Sequence, residues 1–454
     1  MTKDAAGYSA DIPYLRDFKP MLAPAWLDHV AMVCGVEPPA RQSGFTWCDL
    51  GCGQGVTAVI LAATHPTGVF YGIDAMPAHI DHARGLAAQA AIRNLCLHNV
   101  DFAAASDLEW PQFDYIVAHG VYTWIGPESQ QALRRFIDRR LKPGGLVYLG
   151  YNAMPGWARD LPFQRLLREL CKRSSGASAS HLAAALVMVR ALADAGVRPL
   201  AESFIVSELK SRPEDYALPY LVHEFMPAAW QPLYVTEVRA AMATIGLRPV
   251  GSTTLSENFD WMLLDETARG TLSGIEDSDA RELVRDYYLD QRFRSDVFGR
   301  TNRRLEPGER TMRLLSSAFA LARPVPDIRY TMRTPGGLVG SDSPAARKIV
   351  GALAAGPRSM MGLLAAEDLS TVLDLCAIGD IIPVEAENAK VADLNCALCA
   401  RVDGPDEIRW LALPCGTAVE IDPWLIRQLG DGAEIDDKRF PGWRDFLASH
   451  GISG

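Results

Sequence analysis

Three glycines at every second position, Gly51, Gly53 and Gly55, follow Asp49 in the run Cys48-Asp-Leu-Gly-Cys-Gly-Gln-Gly-Val56. Such a run holds a ligand against the backbone. Without Cβ atoms the chain can turn tightly and bring its N–H groups, with a helix N-terminus behind them, close to the bound group. Asp74 lies 19 residues after Gly55, where a carboxylate can accept both hydroxyls of a ribose. A dinucleotide fingerprint requires G-x-G-x-x-G, and Val56 stands where its third glycine would be. No Lys-Ser/Thr pair follows the glycines, so a P-loop is excluded as well.

Regular elements must position these residues. Trp47 to Leu50 reads as a short apolar strand, Thr57 to Ala63 as an apolar helix, and Val69 to Asp74 as a second strand. A helix over Pro77–Ala91 precedes a third strand over Asn94–Phe102, and a fourth strand covers Phe113–Gly120. Helix Ser129–Arg140, the turn signal Leu141-Lys-Pro-Gly-Gly145 and a fifth strand, Leu146–Tyr151, complete the rhythm. Alternation of this kind predicts a doubly wound parallel sheet, with ligands at the carboxyl ends of its strands. The glycine loop, Asp74, Asp101, His119 and Tyr151 all fall at those ends.

Residues 161–232 read as mainly helical, interrupted at Ser174–Ser180, and are expected to insert over the mouth of the site. Helix Val235–Ile245 and strand Gly246–Leu255 resume the sheet, with Phe259–Leu264 as the expected seventh strand and Asp277–Phe298 as a further helix. Residues 306–335 look strand-like and 336–343 linker-like. Short helices at Ala345–Ala355, Met360–Ala366 and Ser370–Gly379, followed by Asp380-Ile-Ile-Pro-Val384, suggest a small winged-helix-like domain. The expected division is therefore 1–160 for the core, 161–232 for the helical insertion, 233–305 for the end of the sheet and the segment after it, and 306–454 for the C-terminal domain.

The bulk properties narrow the function classes. The 454 residues are 48% hydrophobic and 22% charged, as in a globular protein of two or three domains. The net charge of −10 argues against nucleic-acid binding, which needs a basic surface. No apolar run reaches transmembrane length, so no membrane insertion is expected, and the N-terminus lacks a signal-peptide core. A cytoplasmic location is the default. Nine cysteines are scattered without a framework and read as reduced thiols. Cys396-Ala-Leu-Cys399 has no second pair to complete a zinc site, and His223-Glu224 lacks the second histidine of H-E-x-x-H, so no metal is expected.

The D-x-G-x-G-x-G form resembles motif I of the class I S-adenosylmethionine (SAM) methyltransferases. Other segments resemble one bacterial branch, in which such a methyltransferase carries a "methyltransferase regulatory" domain and which includes the rickettsial protein-lysine methyltransferases. They are Pro13-Tyr14, Gly72-Ile-Asp74, His119-Gly-Val-Tyr-Thr-Trp124, Tyr151-Asn-Ala-Met-Pro-Gly-Trp157, Pro219-Tyr-Leu-Val-His-Glu-Phe225 and Phe293-Arg-Ser-Asp-Val-Phe298. The resemblance covers roughly residues 8–300 well and the remainder loosely, and its specific part is the His-Gly-Val-Tyr-x-Trp and Tyr-Asn-x-x-Pro-Gly-Trp pair rather than motif I. It implies a Rossmann-like α/β sheet with S-adenosyl-L-methionine as cofactor and S-adenosyl-L-homocysteine as product. The cofactor contacts it implies are Tyr14, Asp49, Gly51, Gly53, Gly55, Asp74, Ala75, Asp101, Phe102, His119 and Gly120, with Asp101 on the adenine amino group. A homodimer enters only by analogy with those relatives. The aromatics before the first strand, Tyr8, Tyr14 and Phe18, either pack on the sheet edge or form a flap over the cofactor.

Methyl transfer from a sulfonium is an in-line displacement, so alignment and exclusion of water carry much of it. Aromatic faces stabilise the cation without competing as nucleophiles. Tyr122, Trp124, Tyr151 and Asn152 are the expected catalytic groups, with plain core aromatics as the lesser reading of Trp124 and Trp157. A lysine acceptor must first lose its proton, which costs about 4–5 kcal/mol at pH 7 and less in an apolar channel. Trp157, Tyr216, Tyr220, His223 and Glu224 are the expected substrate contacts. The last four are spaced i, i+4, i+7 and i+8, one helix face that is either core or lid. The favoured acceptor is a protein lysine. A small-molecule N- or O-methyltransferase and a non-catalytic SAM-binding regulator are the alternatives.

Overall fold

The computed structural model describes residues 15–41, 44–172, 178–213, 218–361, 369–385, 389–402 and 407–452. Its centre is a seven-stranded sheet of β1 (Phe45–Leu50), β2 (Gly68–Asp74), β3 (Leu95–Asn99), β4 (Phe113–His119), β5 (Leu141–Asn152), β6 (Arg248–Ser252) and β7 (Phe293–Gly299). The strand order is β3-β2-β1-β4-β5-β7-β6. The first five strands are parallel, and β7 runs antiparallel between β5 and β6. The order reverses between β1 and β4, which opens a crevice at their carboxyl ends, the place where such sheets bind ligands.

Burial explains why these segments are strands. In β4 and β5 nearly every side chain is covered, as expected where helices lie on both faces of a parallel sheet. Trp47, Tyr115, Val117 and Tyr148 face one core, while Cys48, Ile116, Val147 and Tyr151 face the other. Helix Val56–Thr64 after the glycine loop is apolar all round and almost wholly buried.

Two expectations about the end of the sheet are corrected. Phe259–Leu264 is not a strand: Leu255–Asn258 is a 3-10 turn and Asp260–Leu263 a short helix. There Asp260 is held by Arg281 and Arg285. The seventh strand is Phe293–Gly299, because the helix expected to run to Phe298 spans only Ser278–Leu289 and ends at Asp290 in a left-handed conformation. Two buried charges, Arg294 and Asp296, neutralise one another within that strand and hid its apolar alternation.

Helices Leu161–Lys172, Ser178–Asp194, Phe204–Ser211 and Leu218–Phe225 form the expected insertion, with a core of their own. The C-terminal region begins with helix Pro307–Ser316 rather than a strand. It contains β8 (Ala318–Leu321), β9 (Thr331–Thr334), β10 (Gly337–Gly340), β11 (Arg358–Ser359), β12 (Ile381–Val384), β13 (Trp410–Leu413) and β14 (Thr417–Glu420). The expected linker thus supplies β10. These strands form one three-stranded sheet, β11-β8-β12, and two hairpins, β9–β10 and β13–β14. The core that contains Trp47 and Phe70 continues without a break into Phe319, Leu375, Leu411 and Leu425. A partly buried polar link runs alongside: Arg41 bonds Glu385 at 2.6 Å and Asp28 at 3.0 Å, and the Tyr115 hydroxyl donates to Asp28 at 2.6 Å.

Candidate active site

The glycine loop takes the shape its composition demands. Gly51, Gly53 and Gly55 all have positive φ, +89°, +54° and +73°. A Cβ on Gly51 would lie 2.5 Å from Val121 Cγ2, so this position excludes any side chain on both counts. Asp74 ties the loop to β2: one carboxylate oxygen accepts from the Gly53 N–H at 2.9 Å, and the other from the Met76 N–H at 2.8 Å and His79 Nδ1 at 3.1 Å. Ala75 follows as an exposed bend. Asp101 is exposed and caps helix Phe102–Asp107 through the Ala104 N–H at 2.7 Å, and Phe102 packs half-buried behind it.

Asp49, at the end of β1, is buried. Burial first, and then the nearby charge of Asp74, push its carboxyl up to about 8. A cation placed beside these two carboxyls would return Asp49 to its charged form, which is what the ammonium of an amino-acid-bearing cofactor supplies. The loop and the two carboxyls therefore fit S-adenosylmethionine. His119 ends β4, where burial and then the charge of Lys19 lower its imidazole to about 3, so it is neutral at physiological pH. Its Nδ1 shares a 2.8 Å hydrogen bond with the Tyr148 hydroxyl. Gly120 follows in a left-handed conformation under Trp124.

The expected catalytic groups divide by strand face. Tyr122 and Tyr151 lie in the core that contains Cys48 and Ile116, the lower core, with their hydroxyls bonded to Arg134 at 2.5 Å and Asp296 at 2.7 Å. Asn152, one residue on, turns the other way. Its backbone N–H is held by Thr123 Oγ1 at 3.2 Å, and its amide donates to Glu224 Oε1 at 2.8 Å. Glu224 is buried, and desolvation raises its carboxyl to about 7 against the lowering pull of Asn152 and Arg292.

Trp124 and Trp157 are buried among Phe225, Trp230 and the insertion helices. Trp157 meets Trp230 edge-on at 5.2 Å and Phe225 at 5.9 Å. His223 is buried on the same helix as Glu224, and Tyr220 is half-buried against the cluster. Tyr14 and Tyr216 lie outside the described residues. The Tyr-Asn-x-x-Pro-Gly-Trp run has a steric reason: a Cβ on Gly156 would meet the Asp290 and Gln291 carbonyls at 2.5 Å.

Sequence reasoning missed Arg292, Asp160 and Thr123. The Arg292 guanidinium stacks over Trp157 at 4.2 Å and pairs with the fully buried Asp160 at 2.7 Å. Their separation of 132 residues leaves no local signal. Among the described residues no cluster of three or more His, Cys, Asp or Glu could hold a metal, and no helix is long and apolar enough to cross a membrane.

Comparison with known proteins agrees with this geometry. Residues 48–147 match a family described as a methyltransferase domain, and residues 218–300 match one described as a predicted methyltransferase regulatory domain. An uncharacterized Synechocystis protein, sll1526, is 32% identical over 354 residues, which cover 78% of this chain and 70% of that one. Trans-aconitate 2-methyltransferase of Streptomyces coelicolor is 34% identical over 125 residues, covering 27% and 38% of the two chains. The fold is that of PKMT2 from Rickettsia typhi, solved in complex with AdoHcy. That match has a TM-score of 0.71 at 18% identity and covers 96% of this chain and 91% of that one. The chain belongs to the S-adenosylmethionine-dependent methyltransferases that carry a methyltransferase regulatory domain.

Proposed function

We propose that the protein methylates the side-chain nitrogen of lysine in a protein substrate. The observation that carries this reading is the buried Asn152–Glu224 pair, which joins the carboxyl end of β5 to the insertion helix above it. When bound, S-adenosylmethionine supplies an activated methyl group. The chain supplies the surroundings: Gly51, Gly53, Gly55 and Asp74 hold the cofactor, with Asp49 facing its positive charge. Glu224, with its carboxyl near 7, is a stronger base toward an arriving ammonium than an ordinary carboxylate, and the apolar surroundings lower the remaining cost of the transfer. Asn152 orients the nitrogen, and the cluster of Trp124, Trp157 and Trp230 excludes water and disfavours the ammonium form. The resemblance to the rickettsial protein-lysine methyltransferases supports the same acceptor.

A small-molecule acceptor is the second reading, favoured by the likeness to trans-aconitate 2-methyltransferase over 125 residues. Incubating the enzyme and cofactor with a bacterial lysate, followed by tryptic mass spectrometry, separates the two. The proposal expects newly methylated lysines that are absent with Asn152→Ala. Methylation confined to small molecules overturns it.

A further inference from the structure

We infer that Trp410 and Arg401, both in the C-terminal region, are positioning residues for the cofactor site, reaching it through the N-terminal segment and through His82. The inference rests on reading the glycine loop as the S-adenosylmethionine site.

Residues Leu15–Lys19 run beside the start of the helix that follows the glycine loop. The Lys19 N–H donates to Thr57 Oγ1 at 3.1 Å, and the Thr57 hydroxyl reaches the Asp17 carbonyl at 3.4 Å. The charge of Lys19 also reaches His119 at the end of β4, adding to the effect of burial on its imidazole. This segment is therefore a wall of the crevice, and Trp410 in β13 grips it. The indole N–H donates to Asp17 Oδ1 at 2.8 Å, while the ring meets the buried Phe18 edge-on at 5.5 Å.

The second route enters the loop itself. His82 Nδ1 lies 2.8 Å from the Gln54 carbonyl, between Gly53 and Gly55. A carbonyl can only accept, so Nδ1 carries the proton and Nε2 is an acceptor. Two arginines approach that acceptor, Arg16 at 3.2 Å from the N-terminal segment and Arg401 at 3.3 Å from the C-terminal region. Arg401 is anchored in turn to Gln89 Oε1 at 2.8 Å on the helix that carries His82. Both contacts of the C-terminal region thus end on groups that shape the cofactor crevice, and neither touches the Asn152–Glu224 side of the site. Loosening either one raises the cost of ordering the loop and the wall around a bound cofactor.

Calorimetric titration with S-adenosylmethionine tests this without any acceptor. Trp410→Phe keeps the ring and removes the hydrogen bond to Asp17, and Arg401→Ala removes the contact to His82. Ile349→Val, in the buried core of the C-terminal region, controls for general loosening. We expect each test variant to bind roughly 3- to 10-fold more weakly than wild type, with a melting temperature no lower than that of Ile349→Val and with Ile349→Val itself binding normally. Unchanged affinity in both test variants, or equal weakening in the control, overturns the inference while leaving the methyltransferase site intact. No binding by the wild type overturns the cofactor reading and this inference with it.

Discussion

Replacing Glu224 by Gln keeps an oxygen that can accept from Asn152 and removes the only ionisable group of that pair. Burial raises the Glu224 carboxyl from its ordinary 4.5 to about 7 in the folded protein. Because the folded value lies above the unfolded one, the stabilisation linked to Glu224 is fully present below about pH 4.5 and is lost as the pH rises through about 7. At about 1.36 kcal/mol per unit, the part of that window between pH 5 and pH 8.5 amounts to about 2–3 kcal/mol. The assay is urea unfolding of wild type and Glu224→Gln at both pH values. Other groups that titrate across this range, Asp49 among them, are common to both proteins and cancel in the comparison. The wild type should lose about 2–3 kcal/mol more than the variant on going to pH 8.5. Parallel losses in the two proteins would mean that Glu224 ionises as an ordinary surface carboxyl, and the proton-exchange role assigned to it would fall.

Gly51→Ala forces a methyl group toward Val121 at an unfavourable φ. It should weaken S-adenosylmethionine binding by roughly 5- to 150-fold, the cost of roughly 1–3 kcal/mol of local strain, and calorimetry with an affinity near wild type would contradict the loop assignment. A cationic cofactor beside Asp49, whose carboxyl sits near 8, should drive the release of about one proton at pH 7. Titrations in buffers of different ionisation enthalpy read that proton, and Asp49→Asn should abolish it. Trp157→Ala opens the aromatic cluster under Arg292 and should cost about 3–5 kcal/mol of stability; a loss under about 1 kcal/mol would mean that the cluster is loosely packed.

The sites that sequence could reveal are those fixed by local backbone requirements. Gly51, Gly53 and Gly55 sit in left-handed conformations, and Asp74, expected to face a ribose, accepts from the Gly53 N–H of that loop. The parallel strands were legible because their apolar runs alternate with helices. The edge of the sheet was not, because Arg294 and Asp296 are charged side chains buried inside β7, and a charged strand reads like a helix face until its ion partners are known. The aromatic and polar groups after β4 and β5 stand out in the sequence as a set, but the sequence could not sort them by face. Tyr151 and Asn152 are neighbours, and the alternation of a strand sends one into the lower core and the other toward the insertion. Arg292 and Asp160 escaped notice because their ion pair joins segments 132 residues apart.

The proposed acceptor is tested most directly by the chemical stability of the transferred group. The enzyme is incubated with methyl-tritiated S-adenosylmethionine and a bacterial protein fraction, and the labelled product is then treated with mild base. An N-methyl bond on lysine survives, so the account predicts label that stays with the protein and appears as methyl-lysine after hydrolysis. Release of the label as methanol would identify a methyl ester on a carboxylate and contradict the lysine assignment.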